Sequence, residues 1–186
     1  MTEDDKKVLL NIARLSIQHG LDHQYPGNIS PKDYSSALQQ IAACFVTLQL
    51  NGELRGCIGT LLAHQALISD VYEHAHGAAF NDPRFSALTA KEFPNVHIEI
   101  SILSSMQEII FKNEEDLLKQ LKPGVDGLTI ENPLHRATFL PQVWKSLPEP
   151  INFLHQLKLK AGLNGHHNLL DIKAFRYRIF SIEEGQ

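Results

Sequence analysis

The dipeptide Asn51-Gly52 constrains the fold of this chain more than any other local feature. It separates two β-type runs, residues 43–50 and 53–60, and both positions of a two-residue hairpin turn need a positive φ, which Asn and Gly adopt readily. The sequence therefore predicts an antiparallel hairpin. By alternation this turn would place Arg55 and Cys57 on one face, with Leu50 opposite Glu53, Leu48 opposite Arg55, Val46 opposite Cys57 and Cys44 opposite Gly59.

Strand and helix patterns alternate irregularly along the rest of the chain, which predicts an α+β fold with a mainly antiparallel sheet and flanking helices. Apolar residues recur at helical spacing from Thr2 to His19, and Thr2 and Asp5 are placed as a capping box. Strict alternation over residues 96–103 is typical of a strand with one buried face. Further predicted elements are a loop (21–35), a helical turn (37–41), helices (64–80, 114–121 and 148–160) and strands (127–131, 137–140 and 175–182).

Length and composition indicate one globular domain over residues 1–186. The chain is 43% hydrophobic and has a net charge of −4, and the cations are spread out, which argues against a nucleic-acid partner. No apolar run approaches the ~20 residues that cross a membrane, and the start lacks a signal-peptide pattern. We therefore expect a cytoplasmic protein with no membrane partner and with Cys44 and Cys57 as reduced thiols.

Sequence motifs for phosphate-loop, dinucleotide, serine-hydrolase and zincin chemistry are absent. The ten histidines raise the question of a metal, but His74 and His76 are two apart on a predicted helix and point to different sides. His166 and His167 lie in a polar loop, where metal binding would be adventitious. The sequence predicts no metal site and no cofactor.

Residues 54–60, LRGCIGT, carry the sharpest chemical signal. Gly56 and Gly59 flank Cys57, and glycines inside a strand indicate a bend or a close approach to the backbone. A guanidinium at Arg55 would favour the Cys57 thiolate, which suits a nucleophilic or ligand-binding role. The alternative is a cysteine buried under a bulge, with Arg55 paired to a carboxylate for structural reasons.

Two other segments offer polar groups. Asp82 and Arg84 lie in a rigid turn after a predicted helix, and a structural salt bridge at a helix end is the alternative interpretation. Glu99 and Ser101 lie on the polar face of the strand at 96–103. If that strand lies beside the hairpin, Glu99 would approach Arg55 or Cys57 as an ion-pair partner or base; a solvated outer face is the alternative.

Six stretches of the sequence are distinctive: CFVTLQLNGELRGCIGT, AAFNDPRFSALT, VHIEISILS, DGLTI, RATFLPQVW and KAGL. Together they resemble the AMMECR-one domain family, also known as AmmeMemoRadiSam system protein A. The resemblance covers about residues 5–180 and implies an α+β fold of two unequal lobes, the larger using both chain ends, with LRGCIG near a cleft between them. Two positions depart from the family pattern: Ala137 replaces a frequent glycine, and residues 165–168 lack a frequent tryptophan.

The resemblance also implies a set of site residues. The candidate catalytic residues are Cys57, as nucleophile or substrate contact, and Glu99, as acid or base. The candidate substrate-binding residues are Arg55, Gly56, Gly59, Asp82, Arg84, Ser101, Arg136 and Gln142, and Ile58, Pro83, Phe85, Leu140 and Pro141 are singled out beside them.

Two hypotheses for function follow. The first is an enzyme whose cleft holds an anionic small molecule or a modified protein side chain, with Arg55 as the anion anchor. The second is a non-catalytic adaptor that binds a protein partner through the same surface. The resemblance implies Memo-type and radical SAM (S-adenosylmethionine) proteins as partners in either case. We favour the enzyme.

Overall fold

The computed structural model describes residues 1–27, 29–164 and 169–185, and over this part of the chain it has five α-helices and three antiparallel sheets. The predicted α+β class is confirmed. The chain divides into two compact units: unit 1 is Met1–Leu103 with Phe180–Gln186, and unit 2 is Ser104–Ile179. Unit 1 is the larger and contains both chain ends. Among the described helices, none has the length and apolar character needed to span a membrane.

The first helix, α1 (Glu3–Leu21), begins with the predicted capping box. The Thr2 hydroxyl accepts the Asp5 N–H at 3.1 Å, and the Asp5 carboxylate accepts the Thr2 N–H at 2.7 Å. Each bond satisfies a donor that the start of a helix would leave unpaired. The apolar stripe of α1 is buried, with Leu9, Ala13 and Ile17 fully enclosed.

The main sheet of unit 1 has the strand order β10-β5-β2-β3. The helix α3 (Leu67–Phe80) packs with α1 on one face of this sheet, and Val46, Leu48, Ile98 and Ile100 are fully buried there. The predicted helical turn is α2 (Ser36–Gln39), and two short strands form a separate pair. The strands are β1 (Ile41–Ala42), β2 (Cys44–Leu50), β3 (Glu53–Gly59), β4 (Gln65–Ala66), β5 (Val96–Leu103) and β10 (Ile179–Glu183).

The hairpin turn between β2 and β3 is confirmed, but the predicted register is wrong beyond it. Asn51 and Gly52 have φ values of 54° and 81°, as the turn requires. The register then shifts between Leu48 and Gln49, which leaves Arg55 as the extra residue of a β-bulge. The pairs are consequently Leu50 with Glu53, Gln49 with Leu54, Leu48 with Gly56, Thr47 with Cys57, Val46 with Ile58 and Phe45 with Gly59.

Unit 2 has its own four-stranded sheet in the order β6-β9-β7-β8. Asn113 caps α4 (Glu114–Gln120) as predicted, accepting the Asp116 N–H at 2.9 Å. The core of the unit includes Trp144 stacked on Phe153, with ring centroids 3.7 Å apart. The remaining elements are β6 (Gln107–Ile109), β7 (Gly127–Glu131), β8 (Arg136–Phe139), α5 (Pro150–Lys160) and β9 (Lys173–Tyr177).

The single final strand predicted over residues 175–182 is wrong, because the segment forms two strands in different sheets. β9 pairs with β6 and β7 in unit 2, whereas β10 joins the sheet of unit 1. The break falls at Arg178, whose backbone N–H donates to the Ser104 hydroxyl at 2.9 Å and whose carbonyl accepts the Ser104 N–H at 2.8 Å. No glycine or proline marks this break, since it is set by pairing partners that are distant in sequence.

Candidate functional site

Polar side chains lie on the face of the unit 1 sheet opposite α1 and α3, which we call the outer face. Alternation along β2 places Thr47 on this face while its neighbours Val46 and Leu48 point into the core. Thr47 pairs with Cys57 on one side and with Glu99 on the other. In the next row Phe45 pairs with Gly59 and with Ser101. The outer face is therefore defined by Phe45, Thr47, Cys57, Gly59, Glu99 and Ser101.

Cys57 is partly exposed and free. Its sulfur accepts a hydrogen bond from the Thr47 hydroxyl at 3.3 Å. Glu99 does not neighbour it, because β2 lies between β3 and β5 and two strand spacings amount to about 10 Å. The expectation that Glu99 approaches Cys57 directly is therefore wrong: the two side chains face the same side with Thr47 between them. Glu99 instead accepts the Ser101 hydroxyl at 3.5 Å, and Ser101 lies 3.4 Å from the Ser181 hydroxyl.

Asp82 and Arg84 fix the backbone of Cys57. The Asp82 carboxylate accepts the Cys57 N–H at 2.8 Å, and Arg84 Nη2 donates to the Cys57 carbonyl at 3.4 Å. Two guanidinium nitrogens of Arg84 donate to Asp82 at 2.7 and 3.0 Å, and the Arg84 backbone N–H donates to it at 3.1 Å. These bonds from Arg84, joined by the Cys57 N–H, hold the pKa of Asp82 well below its usual range. Asp82 has 2% of its side chain exposed and Arg84 has 54%, so a buried carboxylate anchors a guanidinium that reaches solvent.

Arg55 is occupied by partners other than Cys57. It binds the Glu92 carboxylate at 2.9 and 3.3 Å and donates to the carbonyls of Ser86 and Ala87 at 3.0 and 3.4 Å. The Arg55 hydrogen bond, with further bonds from Thr89, lowers the pKa of Glu92 to about 2. The ion pair with Glu92 is the structural role that the sequence left open as the alternative for Arg55. Because Arg55 is the extra residue of the bulge, its contacts connect the bulge to the 86–92 segment.

Both glycines around Cys57 lie where backbone or ring atoms approach closely, as the sequence indicated. A Cβ on Gly56 would lie 2.0 Å from the carbonyl oxygen of Ala78 in α3. A Cβ on Gly59 would lie 2.4 Å from the carbonyl oxygen of Cys44 and equally close to the Phe45 ring. Gly56 thus lets the helix pack on β3, and Gly59 lets Phe45 lie across the outer face.

Arg136 and Gln142 belong to unit 2, as do Leu140 and Pro141, whereas the other predicted site residues belong to unit 1. Arg136 lies in β8 and pairs with Glu131 at 3.3 Å, and Gln142 is exposed on a short 3₁₀ helix (Pro141–Lys145). Ala137, the departure from the family pattern, is buried in β8. Residues 165–168, including His166 and His167, lie outside the described residues. The predicted cleft between two lobes stays a prediction.

A second polar cluster, which the sequence interpretation missed, lies on the core side of the same sheet. Cys44, Asp70 and His74 are buried with their ligand atoms within 4.8 Å of one another. Burial opposes ionisation of Asp70 most strongly, but hydrogen bonds from His74 and others keep its pKa below its usual value. Burial, followed by the charge of Asp70, raises the pKa of Cys44 well above its usual value. Asp70 and His74 stand four apart on α3, a spacing visible in the sequence, but their proximity to Cys44 depends on helix–sheet packing.

The sequence pattern of the AMMECR1 family matches residues 10–182, and the chain therefore belongs to the AMMECR1 family. A protein of Sulfurisphaera tokodaii is 37% identical over an alignment of 198 positions, which covers 99% of this chain and 85% of the relative. A protein of Methanothermobacter thermautotrophicus is 33% identical, covering 88% and 85%. The crystal structure of the uncharacterized protein PH0010 from Pyrococcus horikoshii superposes with a TM-score of 0.81 at 28% identity, covering 99% of this chain and 93% of that one.

Proposed function

We propose that this protein is a thiol-dependent enzyme that acts on an anionic small molecule or a modified protein side chain at the outer face. The observation that carries the proposal is the position of Cys57: a free, partly exposed thiol within hydrogen-bond reach of the Thr47 hydroxyl, on a strand fixed by Asp82 and Arg84. A free cysteine with an exposed path and a nearby cation is the arrangement that thiol chemistry requires.

Arg84, rather than Arg55, supplies the anion contact in this proposal. More than half of its side chain is exposed, and its hydrogen bond to Asp82 raises the pKa of Arg84. The Arg84 guanidinium also donates to the Cys57 carbonyl, which keeps it beside this residue. Arg55 supports the site indirectly, because its ion pair with Glu92 holds the bulge that turns Cys57 outward.

In this proposal Glu99 acts as the acid or base. It lies on the outer face with β2 between it and Cys57, and its carboxylate accepts the Ser101 hydroxyl. A thiolate at one end and a carboxyl group at the other suit nucleophilic attack at one atom with proton transfer at a leaving group.

The proposal is tested by the ratio of two alkylation rates at Cys57, with anionic iodoacetate and neutral iodoacetamide. An anion contact raises this ratio above that of a free thiol such as glutathione, and Arg84→Gln should lower it by roughly threefold to tenfold. Arg136→Gln is the matched control, because that arginine is also exposed but belongs to the other unit. The same ratio of alkylation rates in the wild type, the Arg84→Gln variant and the Arg136→Gln variant would contradict an anion site at Cys57.

Memo-type and radical SAM proteins stay predicted partners. If the outer face is instead the surface of a non-catalytic adaptor, Arg84→Gln should abolish co-purification with such a protein while Cys57→Ser leaves the complex intact. The enzyme proposal expects Cys57, and not only Arg84, to be essential. Cys57→Ser should abolish covalent capture of substrate and should leave the melting temperature nearly unchanged, because the thiol is not part of the core.

A further inference from the structure

We propose that Cys44, Asp70 and His74 form a divalent-cation site suited to Zn²⁺, separate from the outer face. The three side chains come from two elements, Cys44 from the start of β2 and Asp70 and His74 from one face of α3. They supply a thiol, a carboxylate and an imidazole, which are the ligand types that Zn²⁺ and Co²⁺ bind. The proposal departs from the sequence-based expectation of no metal site.

Two distances within the cluster are close to those of a tetrahedral site. The Cys44 sulfur lies 3.8 Å from His74 Nδ1, and His74 Nδ1 lies 3.2 Å from Asp70 Oδ2. Zinc bond lengths and tetrahedral angles give sulfur–nitrogen and nitrogen–oxygen separations of about 3.6 and 3.3 Å. The two distances are compatible with one ion held by the three side chains, whose ligand atoms all lie within 4.8 Å of one another.

The same distances exclude a catalytic triad as the role of this cluster. Both the Cys44 sulfur and the Asp70 carboxylate contact Nδ1 of His74, whereas a triad needs one ring nitrogen for the nucleophile and the other for the carboxylate. The sulfur is also fully buried. The three groups are therefore available as ligands of one ion and not as nucleophile, base and orienting carboxylate.

The surroundings hold the Asp70 carboxylate in place, and an exposed histidine lies beside it. Asp70 accepts the Cys44 backbone N–H at 2.9 Å and the Gln65 amide at 3.2 Å, so its carboxylate is held in place. Partners of this kind fix the orientation of metal ligands. His64, with 56% of its side chain exposed, lies 4.0 Å from the other Asp70 oxygen and marks the solvent side of the cluster. Three protein ligands would leave one position of a tetrahedral ion for a further ligand.

The test uses the Cys57→Ser protein, in which Cys44 is the only thiol. Titration with Co²⁺ should produce a thiolate-to-cobalt charge-transfer band that saturates at one equivalent and disappears when Zn²⁺ is added. Absence of the band would overturn the proposal, and this result needs no substitution in the core. Cobalt bound by histidines elsewhere in the chain would give no such band, because the band requires a thiolate ligand.

A second arm measures Zn²⁺ affinity in the same background with and without Cys44→Ala. Loss of the thiolate ligand should weaken binding by roughly 100-fold or more, and the rise in melting temperature that Zn²⁺ causes should shrink accordingly. Equal affinity in the two proteins would contradict coordination by Cys44. Should the alanine variant fail to fold, the cobalt spectrum decides by itself.

Discussion

Cys44 and Cys57 lie on the two strands of one hairpin but on opposite faces of the same sheet. Cys44 is fully enclosed beside Asp70 and His74, whereas Cys57 is partly exposed beside Thr47. The bulge at Arg55 causes the difference, because simple alternation from the turn would place Cys57 opposite Val46 on the core side. One inserted residue therefore decides whether this thiol is buried or available.

Three contacts hold the bulge that this comparison depends on. Arg55 is tied to Glu92, Gly56 lies against the Ala78 carbonyl, and the Cys57 N–H donates to Asp82. Each belongs to a different part of unit 1: the 86–92 segment, α3 and the turn that follows α3. The outward position of Cys57 is thus a property of the packed unit and not of the hairpin alone.

The largest expected loss of stability comes from Gly56→Ala. The new methyl group would lie 2.0 Å from the Ala78 carbonyl oxygen, so β3 or α3 must move, at a cost of about 3 kcal/mol in the free energy of unfolding. Gly185→Ala is the control, since a Cβ there meets nothing within 4 Å. Urea denaturation measures both, and an equally small effect of the two substitutions would contradict close helix–strand packing at the bulge.

A smaller effect is expected from Glu92→Gln, which breaks the ion pair with Arg55. We expect a loss of about 1 kcal/mol near neutral pH. Since Arg55 lowers the pKa of Glu92 from its ordinary value of 4.5 to about 2, the contribution is complete above pH 4.5 and disappears as the pH falls through about 2. The gap between wild type and variant should therefore close in acid.

The control for this pH dependence is Glu53→Gln, which removes an exposed carboxylate at the hairpin turn. Its stability should follow the wild type at every pH. A Glu92→Gln deficit that stays constant from pH 7 to pH 2 would show that the loss comes from packing and not from the ion pair. Thermal unfolding monitored by circular dichroism over this pH range separates the two outcomes.

Local sequence signals predicted the elements well and their pairing less well. Asn51-Gly52 specified its turn because both positive φ angles are local properties, and Asn113 specified its helix cap for the same reason. The bulge at Arg55 and the break at Arg178 depend on partners distant in sequence, so alternation alone predicted the wrong register and one strand instead of two. Glycines 56 and 59 did signal close approach, but not which group approaches.

The candidate site shows the same division. The sequence predicted Cys57, Asp82 and Arg84 as site residues, and these stay predictions. It also paired Arg55 with the thiol, because alternation ignored the bulge, whereas Arg55 binds Glu92. The sequence did not predict the Cys44 cluster. Asp70 and His74 are four apart on a helix, but this spacing alone does not indicate that Cys44 lies beside them, because that proximity depends on the packing of β2 against α3. Candidate site residues within one segment can be predicted from the sequence. Clusters whose members come from different segments can be recognised only once the fold is known.

Alkylation of the folded protein, followed by peptide mapping of each cysteine, tests the central claim most directly. We expect Cys57 to react about a thousandfold or more faster than Cys44, because a buried thiol reacts only when the core opens. In urea the two cysteines should react at similar rates. Comparable rates in the folded protein, or faster reaction at Cys44, would contradict the outward position of Cys57.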